Sequence, residues 1–523
     1  MDLKDLNAID RATHSARGEV LRLGIALLFI VGIMLYVRMI GADAPNIIML
    51  VSAAMIGGYM ALNIGANDVA NNVGPAVGSK ALSLSGAIAI AVIFEASGAL
   101  IAGGDVVNTV KKGIIDPALV ADPDTFVWLM TAALLAGAVW LNVATYIGAP
   151  VSTTHSIVGG VMGAGIAAGG AGIVDWGRFG EIAASWVISP ALGGIIAALF
   201  LYLIKRKITY QRKMGEAARK HVPMLVAMMA WAFGTYLALK GLGKVIDIGF
   251  LMALGSGLAV AMVVWALMKW RFARSTFQVE NSKAGVDHLF TVPLIFAAAL
   301  LSFAHGANDV ANAVGPLAAI NETVLQGTVT SEVAIPVWVM LVGAIGIALG
   351  LALYGPKLIR TVGSEITDLD RMRAYCVAMA AAITVIIASQ LGLPVSSTHI
   401  AIGGVFGVGF LREHLKVTYK QKIAEIEAHY QGEDRAKVEV MLNQFRDASF
   451  EEKGYFLDDL KRQTTPNMLI SKEDRKGLKK VYREELVKRS ALFKIAAAWL
   501  ITVPAAGLLA AILFFTIRGM FLP

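Results

Sequence analysis

Charge is scarce in this chain, and cysteine is almost absent. Only 16% of the 523 residues are charged, and the single cysteine, Cys376, sits inside an apolar run. Soluble domains carry about 25% charged residues. A chain this poor in charge and 57% hydrophobic does not divide into ordinary soluble domains. One cysteine excludes both a disulfide framework and a cysteine-ligated metal site. The basic excess, a formal net charge of +8, lies in short segments between apolar runs. That placement marks membrane topology and not a nucleic-acid surface, so the lipid bilayer is an expected partner and nucleic acid is not.

Apolar runs long enough to span about 30 Å of hydrocarbon lie near 21–40, 46–64, 83–103, 126–147, 182–204, 222–240, 246–268, 334–354, 373–393 and 491–517. Shorter or glycine-interrupted runs lie at 151–174, 290–304 and 396–411. The count is thirteen if each crosses once, and re-entrant hairpins would change it. The first run follows Arg11, Arg17 and Arg22 and precedes Ala42 and Ala44. Its polar lead is long for a signal peptide, and it reads as an anchor helix. The basic segments 205–221 and 269–274 fall on the cytoplasmic side if the N-terminus does, as the positive-inside rule requires.

The predicted organisation is an N-terminal cytoplasmic segment with an extra anchor helix over 1–45 and a first repeat over 46–204. A basic linker with two connecting helices follows over 205–289, then a second repeat over 290–411. Residues 412–490, of nearly balanced charge, read as a helical cytoplasmic insertion, and 491–523 as a final transmembrane helix.

The repeat is carried by two motif pairs. Gly65-Ala66-Asn67-Asp68-Val69-Ala70-Asn71-Asn72-Val73-Gly74-Pro75 recurs 241 residues later as Gly306-Ala307-Asn308-Asp309-Val310-Ala311-Asn312-Ala313-Val314-Gly315-Pro316. Pro150-Val151-Ser152-Thr153-Thr154-His155 recurs 244 residues later as Pro394-Val395-Ser396-Ser397-Thr398-His399, and both copies run into glycine-rich stretches. Chance does not place two pairs in the same order at nearly one spacing. On the charge-derived orientation, the run before the first motif descends into the cytoplasm and the run before its copy ascends. The halves are therefore inverted, as in secondary transporters whose site lies near the midplane.

Each acidic motif sets a carboxylate, Asp68 or Asp309, among amides from Asn67 and Asn71 or Asn308 and Asn312. A carboxylate at bilayer depth costs roughly 2.5–3.5 kcal/mol, so it persists there for a partner: a hard cation such as Na⁺, a proton, or a packing contact within a broken helix. The flanking glycines and the Gly74-Pro75 and Gly315-Pro316 pairs are the expected break points. The hydroxyls of Ser152, Thr153, Thr154, Ser396, Ser397 and Thr398 stand at new helix starts, where free amides and the dipole favour an anion. Ordinary helix capping is the alternative. His155 and His399 can donate to a bound group or orient these hydroxyls. Neither has a second ligand at zinc spacing.

Glu95 interrupts the run 83–103, and an ionisable residue there is functional by default, either as a coupling-ion ligand or as the partner of a cation. Aligning Thr109 with Thr361 places Ile347 opposite it, so this carboxylate is not duplicated. No nucleophile, base and orienting group stand at recognisable spacing, and neither an enzyme nor a bound cofactor is expected.

The four motifs, GANDVANNVGP at 65–75, PVSTTH at 150–155, GANDVANAVGP at 306–316 and PVSSTH at 394–399, resemble those of the inorganic phosphate transporter (PiT) family of sodium- or proton-coupled phosphate symporters. The resemblance covers roughly 46–411 and the last helix. It implies an all-α polytopic membrane protein, an inverted-repeat secondary transporter with broken helices and re-entrant hairpins. It further implies uptake of inorganic phosphate by alternating access, with Na⁺ as the favoured coupling ion and H⁺ the alternative. A multi-pass location in the bacterial inner membrane and a homodimer also follow as expectations. On this reading Ser152, Thr153, Thr154, Ser396, Ser397, Thr398, Asn67 and Asn308 contact phosphate, while Asp68, Asn71, Asp309, Asn312 and Glu95 serve the cation. A related oxyanion such as sulfate, or an ion channel, is the competing function.

Overall fold

The computed structural model describes residues 3–42, 46–147, 151–244, 246, 248–274, 279–328, 335–365, 369–415, 433–447, 474 and 489–521. Helices make up the regular structure. One isolated bridge, Ile115 to Val174, is the only β pairing among the described residues. Eleven helical stretches among them are long and apolar enough to cross a membrane, against the thirteen runs counted in the sequence. The runs at 151–174 and 396–411 are the two that drop out, and 290–304 proves to be part of a span from Thr291 to Gln326.

The peripheral helix α1 (Leu3–Ile40) leans on α2 (Ile47–Asn67), which α3 (Val69–Gly78) continues. Then follow α4 (Leu84–Ala102), the short α5 (Gly104–Lys112), α6 (Pro123–Ile147), α7 (Thr153–Gly169) and α8 (Trp176–Ile204). A helical pair, α9 (Met214–Lys240) and α10 (Phe250–Arg274), joins the halves, with the short α11 (Lys283–Leu289) after it. The second half runs α12 (Thr291–Asp309), α13 (Ala311–Gln326), α14 (Val337–Glu365), α15 (Arg371–Gln390) and α16 (Ser397–Leu415). Two helices close the described chain, α17 (Glu433–Asp447) and α18 (Arg489–Phe521).

Glycine seams hold the halves in register. A Cβ on Gly65 would strike the carbonyl of Ile347, and one on Gly306 would strike that of Glu95. Gly350 meets Leu62 in the same way, and Gly98 meets Phe303. Thus α14 lies on α2 as α4 lies on α12, and Ile347 is the structural counterpart of Glu95. The hairpins are crossed over. Gly403 and Gly407 of α16 seat on the backbone of Pro190 and Gly194 in α8, while Gly159 and Gly163 of α7 seat on Val503 and Gly507 in α18. The helix that follows each hairpin therefore packs on the hairpin of the other half.

The long helices break at a different place from the one expected. Gly74-Pro75 and Gly315-Pro316 lie within α3 and α13. The interruption is a one-residue irregularity at Asp68 and Val310, both of which keep helical backbone angles; there the next turn tightens through i+3 bonds, Asn71 N to Asp68 O (3.0 Å) and Ala313 N to Val310 O (3.2 Å). Gly65 and Gly306 are spent on helix-to-helix approach, and the irregularity falls at or just after the Asn-Asp pairs. Most of 412–490 lies outside the described residues. Within it, Val438, Met441, Leu442 and Phe445 of α17 are buried along one helical face.

Candidate functional site

Four chain segments converge where the broken helices interrupt. Thr153 donates through Oγ1 to Asp68 Oδ2 (2.7 Å), and its counterpart Ser397 donates to Asp309 Oδ2 (3.4 Å). Each aspartate therefore binds the hairpin of its own half. The asparagines one turn later reach across. Asn71 Nδ2 donates to Thr398 Oγ1 (2.8 Å), and Asn312 Nδ2 to Thr154 Oγ1 (3.3 Å) and Thr153 Oγ1 (3.1 Å). Thr398 Oγ1 also lies 3.4 Å from Asp68 Oδ1, and Thr154 donates to Val395 O across the hairpin tips. All of these side chains are buried.

Other members of the sequence-derived set do different work. Ser152 Oγ accepts from His155 N (3.1 Å) and Ser396 Oγ from His399 N (3.3 Å), so both cap the helices behind them. Asn67 donates to Thr145 (2.9 Å) and Asn308 to Ser389 (2.9 Å) and Leu393 O, tying each broken helix to the first arm of its hairpin. His155 and His399 meet edge to face, ring centroids 4.9 Å apart, and His155 also lies against Trp186 at 3.9 Å.

The decisive addition is His305, one residue upstream of the second acidic motif as the sequence delimits it. Its Nδ1 is 2.7 Å from Glu95 Oε2 and its Nε2 is 2.9 Å from Asp309 Oδ2. Asn72 Nδ2 donates to Glu95 Oε1 (2.8 Å). Glu95 therefore stands behind the site, linked to Asp309 through the imidazole. Ligand atoms of Asp68, His305 and Asp309 all lie within 4.8 Å of one another. The i, i+4 spacing of His305 and Asp309 was a readable signal. A second signal is asymmetry: Glu95, Asn72 and His305 stand opposite Ile347, Ala313 and Ile64 in the repeat register, and the three unduplicated polar residues meet in one place.

The donor set suits a hard cation. Asp309 Oδ1, Asn312 Oδ1 and Asn67 Oδ1 are buried oxygens without a hydrogen-bond partner. Among the described residues, no lysine or arginine forms an ion pair with Asp68, Glu95 or Asp309; the buried Lys111 pairs with Glu322 of α13 instead. Buried carboxylates so close together need a positive charge or a proton between them.

Two inverted halves, each a broken helix and a re-entrant hairpin, meeting on buried carboxylates and hydroxyls, define a secondary transporter. The chain belongs to the phosphate transporter family, whose profile it matches over residues 64–510. It is 51% identical, over 98% of both chains, to a Helicobacter pylori protein provisionally named phosphate permease. A Pyrococcus abyssi protein of the same provisional name is 38% identical over 68% of this chain and 88% of its own. Among solved structures, one described as the sodium-dependent phosphate transporter superposes with a TM-score of 0.72 and 30% identity, across 91% of this chain and 100% of that one. Family membership places the chain among transporters and not enzymes.

Proposed function

We propose that the protein takes up inorganic phosphate by symport with a cation, Na⁺ in preference to H⁺, in a bacterial inner membrane. The observation that carries this reading is the convergence of Asp68, Asp309 and His305 beside Thr153 and Thr398. A phosphate brought against two ionised aspartates is repelled, and burial magnifies the repulsion. A cation held by the carboxylates and the orphan oxygens of Asn67 and Asn312 removes that barrier. Phosphate then meets the hairpin hydroxyls and the N-terminal amides of α7 and α16, where the helix dipoles favour an anion.

The cross-links support alternating access. Asn71 to Thr398 and Asn312 to Thr154 join one half's broken helix to the other half's hairpin. Filling or emptying the site changes the groups these asparagines satisfy, and so biases one half against the other. The repeat units we propose are 46–204 and 290–411, with α8 and α18 exchanged between them, as the glycine seams support. The organisation around them is the N-terminal anchor over 1–45, the linker 205–289 and the insertion 412–490, and a homodimer is the proposed assembly.

The test is labelled-phosphate uptake into proteoliposomes under an inward Na⁺ gradient and, separately, under a pH gradient at equal Na⁺. Saturable uptake driven by Na⁺ alone is the expected result. Uptake that follows the pH gradient and ignores Na⁺ would transfer the coupling role to a proton, and flux independent of both gradients would discard symport.

A further inference from the structure

Several helix pairs in this bundle close backbone to backbone through glycine, but the seam beside α9 and α10 stays open. Between α9 and α10 on one side and α4 and α12 on the other lies a cavity of about 770 Å³. Its walls are apolar side chains such as Phe94, Phe233, Val264, Met268 and Phe296, and its one hydroxyl, on Ser256, is already bonded to Ala253 O. Protein interiors seldom leave such a void, and water does not fill a space without polar partners. Four apolar lining residues, Leu242, Val260, Leu267 and Phe296, are also exposed, so the cavity opens on a face that meets lipid.

Its ends differ. From Ser256 to Met268 the α10 wall is about 18 Å long at the helical rise. Immediately beyond Met268 come Lys269, Arg271 and Arg274, on the cytoplasmic side by the positive-inside reading. Lys269 sits 4.6 Å from the Trp265 ring centroid and Arg274 4.4 Å from that of Trp270. Cations on tryptophans mark the level of the headgroups.

We propose that an acyl chain of an anionic phospholipid occupies this cavity, with its headgroup held by Lys269 and Arg271. Charge complementarity selects this occupant: an apolar slot with a cluster of cations at one mouth matches a tail below an anionic head. The lipid also reaches the transport machinery. Phe94 precedes Glu95, and Phe233 meets Phe303 edge to face at 5.3 Å, two residues before His305. The tail therefore buttresses the two helices that present Glu95 and His305.

The full chain, purified in mild detergent, is probed by native mass spectrometry with phosphatidylglycerol and with phosphatidylcholine. The wild type should retain phosphatidylglycerol more tightly. The surface variant K269Q/R271Q should lose roughly thirtyfold in that affinity, since each basic residue near the headgroups contributes about fivefold. The filled variant A230F/V264F should release the lipid while keeping its thermal transition. Equal retention by K269Q/R271Q overturns the proposal even where the filled variant fails to fold. So does phosphatidylglycerol that stays bound to a folded A230F/V264F protein, or a dimer that becomes monomeric on filling, which would make the cavity a subunit interface.

Discussion

Asp68 and Asp309 have the most to lose from a change of charge, because each is buried and each already accepts from hairpin hydroxyls, Asp68 through both oxygens and Asp309 through one. Asp68→Asn and Asp309→Asn should each lower Na⁺-driven phosphate uptake by roughly 10- to 150-fold, the loss of one charge-assisted contact of about 1.5–3 kcal/mol. Insertion and amount of protein should stay close to wild type, and near-normal uptake in both would refute the coupling role. Glu95 and His305 should act as a unit. A double-mutant cycle of Glu95→Gln and His305→Gln should show a coupling energy on the order of 1–3 kcal/mol in transport, and additive losses would separate the two residues. Ser152→Ala should instead cost about 0.5–2 kcal/mol of stability and spare the phosphate constant, because its hydroxyl caps α7. At this scale the duplicated residues were legible, since one offset repeats carboxylate, amide and hydroxyl together. His305 did not share in that repeat, since it falls just outside the repeated string and its copy is Ile64, so only its i, i+4 spacing from Asp309 and its asymmetry point to it. Nor does spacing tell which hydroxyls cap and which point inward, since consecutive residues at a helix start share the same composition and differ only by about 100° of rotation.

Elements are assembled here by backbone approach, and that makes glycine the residue that decides helix geometry. A Cβ on Gly306 meets the carbonyl of Glu95, so Gly306→Ala must push α12 away from α4 and drag His305 off Glu95. The expected cost is about 1–3 kcal/mol of overpacking, read as a lower thermal transition in detergent. Gly172→Ala, in a turn with open space around its α-carbon, should leave the transition unchanged, and equal effects of the two would mean the seam is not under tension. The broken helices and both hairpins were readable from motif order. The position of the break was not: glycine and proline suggest it, but neighbouring backbones claim Gly65 and Gly306, and Gly315 packs on Val110. The exchange of α8 and α18 was hidden for a different reason. Its signature is a short proline-glycine stretch around Pro190 and Pro504, and 412–490 separates α18 from the hairpin it follows.

For the whole molecule, the exchange decides what 412–490 can and cannot be. All the groups that converge on the aspartates lie upstream of residue 400, so the insertion supplies none of them. The helix beyond it is another matter, since α18 lies along α7 and forms the glycine seam at Gly159 and Gly163. Removing 412–523 therefore strips the back of the first hairpin and should abolish folding of the transporter, whereas replacing 416–488 alone should not. A flexible linker of about 30 residues reaches about 30 Å on average, which leaves α18 free to find its seam. The expected outcome is Na⁺-dependent phosphate uptake within about threefold of wild type, a loss smaller than one kcal/mol of transition-state binding. In sealed cells carrying the intact chain, added protease should leave 412–490 uncut, since the positive-inside count sets it in the cytoplasm. A linker variant that inserts and folds but does not transport would give the insertion a role in the cycle, and cleavage from outside would invert the topology on which the two-halves reading rests.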